Sequence, residues 1–168
     1  MTPRCPHCHE IVSVVRGFNE VVGIENEAFF VEVRDAETGT LLQLEPGHNK
    51  IPQAGRNLLR DLLRAADTAL THVAVGTGTA APLDNATALQ SEVYRAVITQ
   101  RIVDSSKLTT KLFIPSSAAN GNTLSEAMIV NAASGGTVFS VVGFGGIAKT
   151  SLITVTLTWV HTFSEVTG

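Results

Sequence analysis

The segment from Ser151 to Phe163 constrains the fold more than any other part of the chain. Ile153, Val155, Leu157, Trp159 and Phe163 fall on one side of a period-2 pattern, and Thr154, Thr156, Thr158 and Thr162 on the other. β-Branched and aromatic residues in such alternation suit a pleated strand with one buried face. Its backbone N–H and C=O groups need a ladder, and its apolar side needs a second layer to pack on. A chain organised around this strand is mainly β.

Other segments supply the partners. Ala28-Phe29-Phe30-Val31-Glu32-Val33 and Leu41-Leu42-Gln43-Leu44 read as hairpin strands, joined by the turn chemistry of Asp35-Ala36-Glu37-Thr38-Gly39. Pro46-Gly47 is expected to break that pattern. Thr71-His72-Val73-Ala74-Val75 is a strand ending at Gly76-Thr77-Gly78, and a polar connector with Pro82, Asp84 and Asn85 follows. Residues 93–103 and 108–114 read as two strands around Asp104-Ser105-Ser106. Asn120-Gly121-Asn122 is a turn, and residues 124–130 and 138–142 flank a glycine-containing hairpin loop.

One helix interrupts the strands. Over residues 53–66, Leu58, Leu59, Leu62, Leu63 and Ala66 recur at helical spacing, with Arg56, Arg60, Asp61 and Arg64 between them and Pro52 near the start. The single apolar stripe requires the helix to lie against a sheet. The expected fold is a mainly β, antiparallel β-sandwich with one packing α-helix and an N-terminal β-hairpin extension. Residues 1–17 form an arm, 18–51 the hairpin extension, and 52–168 the helix and sandwich.

The chain has 168 residues, 44% hydrophobic and 16% charged, which suits a globular domain with a core. A net charge of -3 gives no basic footprint for nucleic acid. No apolar run approaches the roughly 20 residues of a membrane span, and the start lacks the apolar core of a signal peptide. Synthesis and retention in the cytosol are the expectation.

Several motifs resemble chemical sites. Gly143-Phe144-Gly145-Gly146-Ile147-Ala148-Lys149-Thr150 nearly spells a phosphate loop, but Ala148 replaces a glycine and a β-branched strand follows where a helix is needed. It reads as a glycine-rich loop between strands. Gly76-Thr77-Gly78-Thr79 is half a dinucleotide fingerprint and reads as a turn. Cys5-Pro6-His7-Cys8-His9 has the spacing of a haem attachment site, yet an export signal is missing. The same segment is half of a zinc site: Cys5 and Cys8 supply thiolates, His7 or His9 a third ligand, and His48 or a neighbouring subunit a fourth. Unmetallated thiols and a redox-sensitive pair are the competing readings. No other cofactor is expected.

No nucleophile–base set emerges, since the GxSxG elbow is absent. His72 and His161 lie in strands as structural histidines, and His48 would hydrogen-bond a turn. Glu25, Glu27, Asp35 and Glu37 read as solvated turn charges. The chain is not expected to be an enzyme.

A longer pattern is present. Residues 33–39 (Val-Arg-Asp-Ala-Glu-Thr-Gly), 45–51 (Glu-Pro-Gly-His-Asn-Lys-Ile) and 55–59 (Gly-Arg-Asn-Leu-Leu) are followed by 72–82, 87–95 and 124–137, then by Ile147-Ala148-Lys149-Thr150 and the threonine-rich strand with Trp159. In order and spacing this resembles a family of small tailed-phage virion structural proteins, associated with tails and tail fibres. The resemblance covers about residues 31–163. It implies a homo-oligomeric tail, collar, baseplate or fibre-base adaptor that is made in the host cytoplasm and contacts other virion structural proteins. It carries over no catalytic residue. A capsid decoration or head-fibre protein, and a receptor-binding module touching the host receptor, are the alternatives.

Overall fold

The computed structural model describes residues 22–63 and 69–165. In chain order the elements are β1 (Val22–Asp35), β2 (Leu41–Lys50), α1 (Gln53–Leu63), β3 (His72–Gly76), β4 (Glu92–Val97), β5 (Gln100–Asp104), β6 (Lys107–Ile114), β7 (Thr123–Val130), β8 (Val138–Ala148) and β9 (Ile153–Glu165). The strands form one nine-stranded sheet in the order β4-β3-β7-β8-β2-β1-β9-β6-β5. All of its pairings are antiparallel.

β9 is the alternating segment, and it lies between β1 and β6. Phe29 stands opposite Trp159, Val31 opposite Leu157 and Val33 opposite Val155. On the other side Thr110, Leu112 and Ile114 face the same three residues. All nine side chains are buried. The Phe29 and Trp159 rings meet edge to face with centroids 4.7 Å apart, a favourable aromatic geometry.

The mainly antiparallel β class with a single helix holds among the described residues. The described strands do not divide into two separate sheets, because β2 belongs to both halves. Its first part pairs with β1 up to Pro46, and from Gly47 to Lys50 it pairs with β8. Pro46-Gly47 is thus a corner inside a strand rather than a break. A strand that changes partners at a bend folds one sheet over onto itself. Val73, Val75, Ala127, Ile129, Phe139 and Val142 of the second half therefore share one core with Phe29, Leu157 and Trp159 of the first. The β1–β2 hairpin sits in the middle of this sheet and is no appendage.

A second difference lies at residues 93–103, which are two strands. β4 ends at Val97 and pairs with β3, whereas β5 begins at Gln100 and pairs with β6 at the far end of the sheet. Ile98 and Thr99 carry the chain between the halves. The Ile98 N–H donates to the Thr71 carbonyl at 2.9 Å and the Thr99 N–H to the Lys111 carbonyl at 2.8 Å.

The helix packs over β8. Leu58 is buried, and a Cβ added at Gly55 would collide with the Phe139 carbonyl oxygen, so the close approach requires glycine. The loop of residues 77–91 crosses the outer face of the second half, where Leu89 and Ala86 pack on Ala74, Met128, Val130, Val138 and Val141. Replacing Trp159 by alanine removes the largest fully buried side chain of the shared core. An equilibrium urea titration is expected to show a loss of about 3–5 kcal/mol.

Candidate functional site

Several chemistry-bearing groups of the described chain are engaged in holding the fold. Glu126, in the middle of the buried strand β7, is 4% exposed. Its Oε1 accepts the backbone N–H of Gly78 at 2.9 Å and of Ser91 at 2.8 Å, and its Oε2 accepts that of Gln90 at 3.0 Å. A Cβ at Gly76 or Gly78 would stand within 2.6 Å of this carboxylate. Gly78, with Gln90 and Ser91, therefore holds an anion, but the anion is the chain's own, and Gly76 leaves room for it. The dinucleotide-like motif is occupied internally.

The phosphate-loop look-alike has a parallel explanation. Gly143 to Gly146 lie inside β8, not in a loop between strands, at a register shift in the β7–β8 ladder. Lys149 is 1% exposed, and its Nζ donates to Asn120 Oδ1 at 2.8 Å, the Thr150 carbonyl at 2.9 Å and the Ser116 carbonyl at 3.3 Å. The ammonium thus braces the turn at residues 115–122, and burial pushes its pKa down.

Asp35 is a solvated turn charge that also organises the turn. Its Oδ1 accepts from Thr38 N at 2.7 Å, Thr38 Oγ1 at 2.8 Å and Glu37 N at 3.1 Å, and the hydrogen bonds from Thr38 hold its pKa low. Asp84 lies 2.8 Å from Arg56, and that hydrogen bond lowers its pKa too. The pair ties the loop of residues 77–91 to α1.

His72 Nδ1 lies 2.8 Å from Thr71 Oγ1. His161 is fully buried with its ring 5.2 Å from Phe139, and neither ring nitrogen has a hydrogen-bond partner among the described residues. Burial pushes its pKa down to about 4. Cys5, His7, Cys8 and His9 lie outside the described residues, as does the His48 side chain. Among the described residues no group of three or more His, Cys, Asp or Glu is placed to hold a metal.

A cleft of about 340 Å³ lies under the loop of residues 77–91, lined by Pro82, Leu83, Ala86 and Val141. Its polar members are Gln90 and Glu126, which already bond the loop's backbone. No apolar layer of this kind covers the outer face of β2-β1-β9-β6-β5 among the described residues. Register places Leu44, Glu32, Thr156 and Phe113 in one row, and Val160, Thr109 and Ile102 in another. Leu44 is 55% exposed, Phe113 44% and Ile102 42%. Leu41, Leu42 and Leu152 are exposed at the β1–β2 turn, where Ala36 N donates to the Leu152 carbonyl. Glu32 and Arg34 contribute one ion pair at 3.5 Å. This surface was not legible as a site in the sequence. The one signal toward Glu126 was a lone carboxylate in an otherwise apolar strand.

No protein-family model, no curated protein and no solved structure matches the chain.

Two outcomes follow from the buried groups. Glu126→Ala leaves the Gly78, Gln90 and Ser91 N–H groups without their acceptor. It is expected to cost about 2–4 kcal/mol and to raise hydrogen exchange at those amides. His161 gives a pH dependence. Its pKa is about 4 when folded, against roughly 6.5 unfolded. Between those values the unfolded chain binds more protons, so stability falls as pH is lowered, by about 3 kcal/mol in all. Asp35 and Asp84 act lower, losing their contribution only as pH drops below their ordinary range. Urea titrations from pH 7 to 4 are expected to show this slope, and His161→Phe to flatten it.

Proposed function

We propose that this protein is a non-enzymatic structural subunit of a tailed-phage virion, at the tail, collar, baseplate or fibre base, assembling through symmetric protein–protein interfaces. The observation that carries the assembly reading is the outer face of β2-β1-β9-β6-β5, with Leu44, Phe113 and Ile102 exposed. Large apolar side chains exposed together on one face of a sheet are the kind of surface that a partner covers. The engagement of Glu126, Lys149 and Asp35 within the fold supports the same reading, since it takes these groups away from catalysis. The virion setting rests on the residue pattern between Val33 and the strand of Trp159. Closed symmetric assemblies are the usual outcome for such subunits.

The test is electron microscopy of purified particles carrying a gold-labelled tag on this protein. Label at the tail, its tip or its collar is expected. Particles without label, with the protein left in the lysate, would overturn the virion reading.

A further inference from the structure

We propose that β5 of one copy pairs antiparallel with β5 of a second copy, about a two-fold axis through Ile102. The inference rests on the reading that the protein works by self-assembly, and it names the partner. Among the described residues β5 ends the sheet, and all five of its residues are exposed. Val103 is 77% exposed and Ile102 42%. Natural edges are commonly guarded by outward charges. Here the Arg101 guanidinium folds back instead, donating to the Leu70 carbonyl at 2.6 Å.

Two independent counts agree with this register, and an axis through Ile102 is the one that pairs all five residues of the strand. The two-residue turn at Ser105-Ser106 closes on Asp104 and Lys107, so Asp104, Ile102 and Gln100 aim their backbone groups at β6. Arg101 and Val103 aim theirs outward. A two-fold axis perpendicular to the sheet keeps each face on its own side. Residues of equal parity then meet: Ile102 the partner's Ile102, Arg101 the partner's Val103, and Gln100 the partner's Asp104. The residues with outward backbone groups are thus the ones that face each other, as a hydrogen-bonded pair requires.

The charges agree with this register. Lys111 stands opposite Gln100, and Lys107 opposite Asp104. Across the axis the row reads Lys111, Gln100, the partner's Asp104, the partner's Lys107. Each carboxylate lies between an amide and an ammonium, and no like charges are directly opposed. At the other end of the sheet, β4 is a poorer edge, because its pairing shifts register at Gly76.

The test uses the full chain. Ile102 would meet its mate in a non-hydrogen-bonded pair, with Cα atoms about 4.5 Å apart, inside the roughly 4.4–6.8 Å that a disulfide spans. In a Cys5→Ser, Cys8→Ser background, Ile102→Cys is expected to give a disulfide-linked dimer as the main product of mild oxidation. Val103→Cys, facing Arg101, is expected to give little. The unaltered protein is expected to sediment as a dimer at tens of micromolar. Val103→Pro, which removes an outward N–H, is expected to sediment as a monomer. A monomeric unaltered protein, or cross-linking at position 103 in preference to 102, would overturn the proposal. If Val103→Pro fails to fold, the cysteine pair decides alone. A dimer in solution with unlabelled particles would sink the virion reading only, and a monomer with labelled particles the edge pairing only.

Discussion

The structure depends on the change of partner that β2 makes at Pro46-Gly47. Before it the strand bonds to β1, and after it to β8. Proline cannot donate to a ladder, and it stands where the β1 pairing ends. Glycine follows because the corner is filled from inside. A Cβ at Gly47 would lie 2.4 Å from Cδ1 of Phe29 and 2.8 Å from Val142 Cγ2. Those two side chains belong to opposite halves of the sheet. Without the corner there would be no enclosed face, and Trp159 would have nothing to pack under.

Closing the sheet in this way creates polar obligations that the chain meets locally. Strand β7 runs through the interior and carries Glu126, whose carboxylate gathers the N–H groups of Gly78, Gln90 and Ser91. Lys149 does the converse with three oxygens near residues 115–122 and 150. Both residues lie in or beside motifs that resemble nucleotide-binding loops. In this protein the anion and the cation are supplied from within, so the resemblance is one of local geometry.

The parts of the fold that were legible in the sequence are those with a short-range cause. The alternation from Ile153 to Trp159 marks the side of β9 that enters the core, although Thr158 on the other side is buried as well, and Asp35 with Gly39 marks a turn through hydrogen bonds no more than a few residues long. The helix over residues 53–63 follows from its leucine spacing. What was not legible is set by distance. Glu126 is 48 residues from Gly78, and its lone place in a largely apolar strand does not reveal which backbone groups it bonds. The split between β4 and β5 occurs at Ile98-Thr99, which has neither glycine nor proline, because the far partners β3 and β6 decide it. Pro46-Gly47 is read locally as a terminator, yet tertiary pairing carries the strand through it.

A single sheet folded over one core should unfold as one unit. Native-state hydrogen exchange tests this directly, by comparing the amides of Leu157 in the first half and Ile129 in the second, in the unaltered protein and in Gly47→Ala. Equal opening free energies for the two amides, falling together in the variant, are the expected result. Two different energies, or a variant that loosens one half and spares the other, would contradict the account.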